Sequence, residues 1–277
     1  VSSWRIKVLY FGDIEVSKEI VTVGVDIGLK IKLPYLGFLI TNGDKNILFD
    51  NGINSKFIVD GKAWAGSPAR GGETFVLEAL KSVGLNPGDI DMVVYSHLHN
   101  DHAGNCHLFP ESVHLFQQDE WHELLDPLPS MMIRGDFDQT IIPVLKEMNC
   151  YKVNGDVEIG QGLRLYKTPG HTAGSQVLEV ATEKGKYILA GDTVHIYHII
   201  FPELTELITM DGEKIKITPA PKVYGPAIPS SLVYNHYDWY DSIYKIKAML
   251  AAPEFLLPGH EPSLFGKSFP CTQSNRK

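Results

Sequence analysis

Ser96-His97-Leu98-His99-Asn100-Asp101-His102 places three imidazoles and one carboxylate within six residues, His97 to His102. Imidazole nitrogens and carboxylate oxygens are the donors that borderline divalent metals bind. In extended backbone, residues two apart point the same way, so His97 and His99 can grip one ion together. Asp101 and His102 are adjacent and need a turn to converge. A helix beginning just after Asn100 would swing them toward a second, neighbouring ion. Met92-Val93-Val94-Tyr95 reads as a short buried strand leading into the cluster. Ala103-Gly104-Asn105 behind it is small enough to let backbone pass close by. The competing reading is a histidine-rich surface loop; four ligand-type side chains at strand-end spacing favour metal.

A closed two-metal site needs more donors than four, and three later loops supply them. Thr168-Pro169-Gly170-His171-Thr172 follows Leu163-Arg164-Leu165-Tyr166. Ala190-Gly191-Asp192-Thr193 follows Tyr187-Ile188-Leu189, and Pro258-Gly259-His260-Glu261 follows Phe255-Leu256-Leu257. Each is a strand-like run ending in glycine beside one donor. One such loop means little, but three in this order after the first cluster mean more.

On these residues the chain resembles the metallo-β-lactamase superfamily. Leu48-Phe49-Asp50-Asn51-Gly52 also looks like that family's early strand ending in Asp-x-Gly, and the matches span about residues 36 to 265. The resemblance implies that His97, His99 and His171 hold one metal and that Asp101, His102 and His260 hold the other. Asp192 would bridge the two, and Asp50 would orient a ligand imidazole. It further implies a hydrolase with two divalent ions, zinc first and iron or manganese as alternatives. Two such ions lower the pKa of a bridging water, so the expected nucleophile is a metal-bridging hydroxide, with Asp101 orienting it and passing its proton on.

Composition agrees. A chain of 277 residues with 44% hydrophobic content can bury a sizeable core as one large domain. A net charge of −8 argues against a non-specific nucleic-acid grip and against an anionic membrane surface. No apolar run is long enough to span a bilayer, and Val1-Ser2-Ser3-Trp4-Arg5 has no signal-peptide pattern. Cys106, Cys150 and Cys271 are odd in number and widely spaced, which suggests a reducing, cytoplasmic compartment. Cys106 reads as a small residue packed under the site rather than as a ligand.

Along the chain, Lys7 to Phe11, Leu36 to Thr41 and Asn46 to Asp50 read as strands. Gly72 to Leu80 reads as an amphipathic helix ending near Gly84, and Asn86 to Asp89 as a turn. Helices are expected at Asp119 to Leu125, Gln139 to Met148 and Tyr237 to Leu250. Gly160 to Gly191 reads as three strands with a hairpin at Glu183 to Lys186, and Cys271 to Lys277 as a frayed polar tail. Strand runs separated by helices, twice over, fit two packed sheets with helices outside. That is the α/β, four-layer αβ/βα sandwich of two mixed sheets that the resembled family adopts, here expected as a single domain over residues 1–277.

Two segments look like cover for the site. Asn51 to Gly71 carries Trp64, and residues 195–235 carry Ile199-Ile200-Phe201, a hairpin candidate at Met210 to Glu213 and a proline-rich stretch. Both are long for structureless loops, and the second reads as a lid, as a subunit contact that would make a homodimer, or as local packing.

Among branches of the resembled family, length and spacing look most like the lactonases, where a Tyr three residues after the bridging Asp contacts substrate. Here that position is His195, which can donate to an oxyanion; Tyr197 is a substitute. The expected substrate is a small, largely uncharged cyclic ester, amide or related carbonyl compound, in a pocket formed by Trp64, His195 and Ile199 to Phe201. A glyoxalase-type thioester hydrolase is the alternative, with Lys245 and Lys247 the nearest candidates to grip a carboxylate. A phosphodiesterase or a non-catalytic scaffold fits less well. His107, His114, His122, His198 and His236 match no motif position and are expected to be structural or on the surface.

Overall fold

The computed structural model describes residues 3–271; the expected frayed tail, apart from Cys271, lies outside the described residues. A nine-stranded mixed sheet contains β1 (Arg5–Ser17), β2 (Lys30–Thr41), β3 (Asn46–Phe49), β4 (Lys62–Ala63), β5 (Ser67–Gly71), β6 (Met92–Val94), β7 (Val113–Gln117) and β8 (Asn149–Val153). Their order is β4-β5-β1-β2-β3-β6-β7-β8. A second, five-stranded sheet is built from β9 (Val157–Gly160), β10 (Leu163–Lys167), β11 (Gln176–Thr182) and β12 (Gly185–Leu189). β13 (Glu206–Ile208) and β14 (Lys214–Lys216) form a separate hairpin; β15 (Leu256–Leu257) joins the second sheet beside β12, and β16 (Ser268–Phe269) pairs with β1.

Residue alternation along the strands explains why the sheets stack. Phe38 and Ile40 of β2 and Ile6 and Val8 of β1 pack with Leu165, Leu178, Val180 and Leu189 of the second sheet. Their neighbours Leu39, Leu9 and Phe11 belong to a different cluster on the opposite face. Successive side chains leave a strand on opposite faces, so one strand serves two cores, and the Leu36–Ile40 stretch of β2 is accordingly apolar on both faces. The outer core takes Val76, Ala79 and Leu80 of α1 (Glu73–Ser82) and Trp239, Ile243 and Ile246 of the long terminal helix His236–Met249. Helix–sheet and sheet–sheet contacts thus give the αβ/βα sandwich.

The expected helices are present within a few residues of the expected ends. A short helix α2 (Asn100–Ala103) starts just after the first ligand-type histidines, and α3 (Gln118–Leu125) follows β7. The hairpin expected at Met210 to Glu213 links β13 and β14. Among the described residues no helix is long and apolar enough to cross a membrane.

Candidate metal centre

The donor-bearing loops all leave the C-terminal ends of strands. β3 runs into Asp50, β6 into His97 to His102, β10 into His171, β12 into Asp192 and β15 into His260. β3 and β6 are parallel, and so are β12 and β15, so their ends lie side by side at one edge of the sandwich. Gly259 allows the last two loops to touch. Its backbone N–H donates to Gly191 O at 3.1 Å and to Val194 O at 3.2 Å. A Cβ at Gly259 would stand 2.8 Å from the Gly191 carbonyl and 3.0 Å from Asp192 Oδ1.

His97, His99 and His171 converge through their ring nitrogens. His171 Nε2 lies 3.2 Å from His97 Nε2 and 3.1 Å from His99 Nδ1. One nitrogen cannot donate to both neighbours at once, whereas donors on a tetrahedral zinc at about 2.05 Å stand about 3.3 Å apart. Burial first, then neighbouring imidazoles, pushes His97 and His171 well below the usual histidine range. Burial takes His99 down to about 3. All three therefore offer free lone pairs, the form a cation needs.

The second group is equally tight. His102 Nε2 and His260 Nε2 are 3.2 Å apart, and each lies 3.7 Å from Asp101 Oδ2. Asp192 stands between the groups with an oxygen toward each. Its Oδ1 is 2.9 Å from His260 Nε2 and 3.2 Å from His102 Nε2, while its Oδ2 is 3.5 Å from His171 Nε2. Burial opposes charge on Asp192, but His195, His260 and His102 outweigh it and hold the carboxylate well below its usual range. Burial pushes Asp101 the other way, upward, against the same His102 and His260. Seven buried donors in two converging sets, with a carboxylate spanning them, fit divalent metal.

A layer of hydrogen bonds aims these rings. Asp50 accepts from Ser96 N and Ser96 Oγ at 2.7 Å each and holds His102 Nδ1 at 2.8 Å, which leaves Nε2 to face the centre. Asp50 does this from a left-handed backbone, φ 62°, a strained conformation for a residue with a side chain. His260 Nδ1 donates to Pro34 O at 2.8 Å, turning its Nε2 inward. Glu120 of α3 joins the loops of the three-histidine group. It accepts from Leu98 N at 2.8 Å, from Gly174 N at 2.9 Å and from the Thr172 hydroxyl. Sequence reading placed Glu120 in a helix and gave it no role. No motif marks it; only its total burial does.

A cavity of about 480 Å³ opens above the cluster. His99, Asp101, Asp192, His195 and His260 form its floor, and Ile14, Val16, Val21, Leu33, Tyr35 and Trp64 line one side. Ile133, Arg134, Asp136, Leu232 and Tyr234 complete it. Trp64 and His195 both line this cavity. The apolar part of the insert does not: Ile199 and Ile200 are fully buried in the helix-side core. Phe201 and Tyr197 line a different cavity, and the Tyr197 hydroxyl is spent on Leu256 O at 2.9 Å. Residues 195–235 reach the pocket instead through Ser231, Leu232 and Tyr234.

His195 Nε2 is 3.1 Å from Asp192 Oδ2, and its Nδ1 has no partner among the described residues. With His171 and Asp192 it forms a further group close enough to hold an ion. Tyr35, which lies just before the strand read at Leu36 to Thr41 and was given no role, is fully buried beside His260. Burial, then the Asp101 charge, keeps its hydroxyl protonated well beyond the usual range. Of the unassigned histidines, His114 bonds Tyr95 and Phe109 O, and His198 Nδ1 meets the buried Lys18 Nζ at 2.8 Å.

Comparison with known proteins gives a consistent picture. The family model of the metallo-beta-lactamase superfamily matches residues 33–260. An N-acyl homoserine lactonase of Bacillus cereus is 28% identical over 194 residues, covering 66% of this chain and 74% of that protein. The N-acyl homoserine lactonase AttM of Rhizobium radiobacter is 28% identical over 201 residues, covering 67% and 74%. Among solved structures, an N-acyl homoserine lactone hydrolase with N-hexanoyl-L-homoserine bound at its catalytic metal centre superposes with a TM-score of 0.73. It is 21% identical, and the match covers 94% of each chain. AidC, a dizinc quorum-quenching lactonase, gives 0.67 at 16% identity over 93% of this chain and 87% of that one.

Proposed function

We propose that this chain, which belongs to the metallo-β-lactamase superfamily and is a metal-dependent hydrolase, opens a lactone carrying an apolar substituent. The observation that carries the two-metal reading is Asp192, whose two oxygens face two separate donor groups. His97, His99 and His171 would hold one ion, Asp101, His102 and His260 the other, and Asp192 both. Zinc suits this mixed nitrogen and oxygen set, and iron or manganese also would. When bound, the ions would supply Lewis acidity and make hydroxide available near neutral pH.

The protein's own side chains do the rest. The apolar walls hold the substituent by shape and exclude water, while the polar floor meets the ester. Asp101 faces both the donor cluster and the cavity. It takes the proton of the attacking water and delivers it to the ring oxygen as the acyl C–O bond breaks, releasing a hydroxy acid. His195 lies beside Asp192 at the cavity floor and donates to the carbonyl oxygen as that atom gains charge. Residues 195–235 act as the lid through Leu232 and Tyr234, on a single domain.

The lactone reading is favoured over the thioester one by the helix lysines. Lys245 is bound to Asp156 and Lys167 O, and Lys247 to Pro226 O, so neither is free to grip a glutathione carboxylate. Arg134, the cation on the cavity wall, is engaged by Asp136, which disfavours a phosphorylated substrate. Zinc-loaded protein should be assayed side by side on N-acyl homoserine lactones of graded chain length, simple γ-lactones, S-lactoylglutathione and bis-p-nitrophenyl phosphate. Lactone opening that improves with acyl length supports the proposal; turnover confined to the thioester or the phosphodiester refutes it.

A further inference from the structure

Tyr35 sits in β2, directly after the residue whose carbonyl orients His260. It is 1% exposed, and its hydroxyl has no hydrogen-bond partner among the described residues. A buried hydroxyl without a partner is destabilising, so its retention calls for a partner that arrives later. The ring stands edge-on to His260 at 6.1 Å and to Trp64 at 6.5 Å, between the donor cluster and the apolar wall. Three other polar side chains of that wall are already committed. Arg134 and the Tyr234 hydroxyl both bond Asp136, and Ser231 bonds Ile20 O.

We propose that Tyr35 contacts the substrate directly, donating its hydroxyl hydrogen to the ring oxygen of the lactone on the His260 and Asp101 side of the site. This rests on the lactone reading above and adds a specificity-determining residue to it. As the acyl C–O bond breaks, the ring oxygen gains negative charge and the Tyr35 hydrogen bond strengthens; Asp101 then delivers the proton. The phenol keeps its own proton throughout. The residue matters most where the leaving oxygen is a poor one, an alkoxide, and little where it is a stabilised phenolate.

Tyr35→Phe tests this without altering shape. The zinc-loaded variant should keep its metal content. Its Tm should be unchanged or raised by a few degrees, because an unpaired buried hydroxyl has been removed. Its kcat on a lactone should fall roughly 10- to 100-fold, with a fall of less than about threefold on p-nitrophenyl acetate. A Tm lowered by several degrees would show that the hydroxyl serves the fold and overturn the proposal. Wild-type turnover of the lactone by the variant would overturn it as well, leaving the lactone reading intact. A wild-type enzyme inert to every lactone defeats both.

Discussion

Leu98, the residue between two ligand-type histidines, donates its backbone N–H to Oε2 of Glu120 at 2.8 Å, while the other oxygen of that carboxyl group holds Gly174 and Thr172. One buried side chain from a neighbouring helix therefore fixes the separation between the His97–His99 strand end and the His171 loop.

Glu120→Gln should weaken the His97/His99/His171 group. Gln keeps the volume but turns an N–H₂ toward at least one donor, so the two loops lose their common acceptor. Chelator competition should show roughly 10- to 100-fold lower affinity at one of two sites, with an unchanged circular dichroism spectrum. Equal loss at both sites, or none, would contradict the assignment.

The same residue sets a pH dependence. Burial, then the nearby Glu123 charge, raises Glu120 to about 8 from an ordinary 4.5. A carboxyl raised on folding contributes stability that is complete below the unfolded value and is lost as pH rises through the folded one. Metal-free wild type should therefore lose Tm relative to Glu120→Gln between about pH 5 and pH 9. Parallel Tm profiles would remove Glu120 as the titrating group.

Asp192→Asn should weaken both metal sites together and lower kcat by orders of magnitude, with the sandwich still folded. Elemental analysis should give two ions per wild-type chain and fewer in the variant. Full loading and wild-type turnover in the variant would end the bridging role.

His195→Ala should lower kcat/KM roughly 10- to 1000-fold and leave metal content unchanged. Because His195 Nε2 lies 3.1 Å from Asp192 Oδ2, loss of an ion in this variant would identify it as a ligand instead.

Gly259→Ala adds one methyl where the Gly191 carbonyl and Asp192 Oδ1 leave 2.8 and 3.0 Å. Backbone must shift, at a cost of roughly 1–3 kcal/mol, and the shift falls on Asp192. Both Tm and metal affinity should drop. A drop in Tm alone would mean that the loops part without moving the carboxylate.

The donor loops were legible in the sequence because each combines a strand, a glycine and a ligand type, and strand geometry fixes where the next side chain points. The sheets were legible for the same reason, through their apolar runs. The pocket walls were not. Ile199 and Ile200 on a short segment after Asp192 read the same whether they face a cavity or a core, and here they face a core. Glu120 bonds a backbone group 22 residues away, and Tyr35 of β2 meets His260 from the loop after β15; nothing local to either announces it.

Apart from Leu33 and Tyr35 of β2, the cavity walls are assembled from four stretches far apart in the chain: Ile14 to Val21, Trp64 to Ser67, Ile133 to Asp136 and Ser231 to Tyr234. None of them carries one of the seven donors assigned to the ions. Exchanging residues on these stretches could recast which molecules are admitted while the reactive floor stays as it is. The scaffold is thus suited to divergence in diet without divergence in chemistry, and libraries confined to these four stretches are where a change of substrate should be sought.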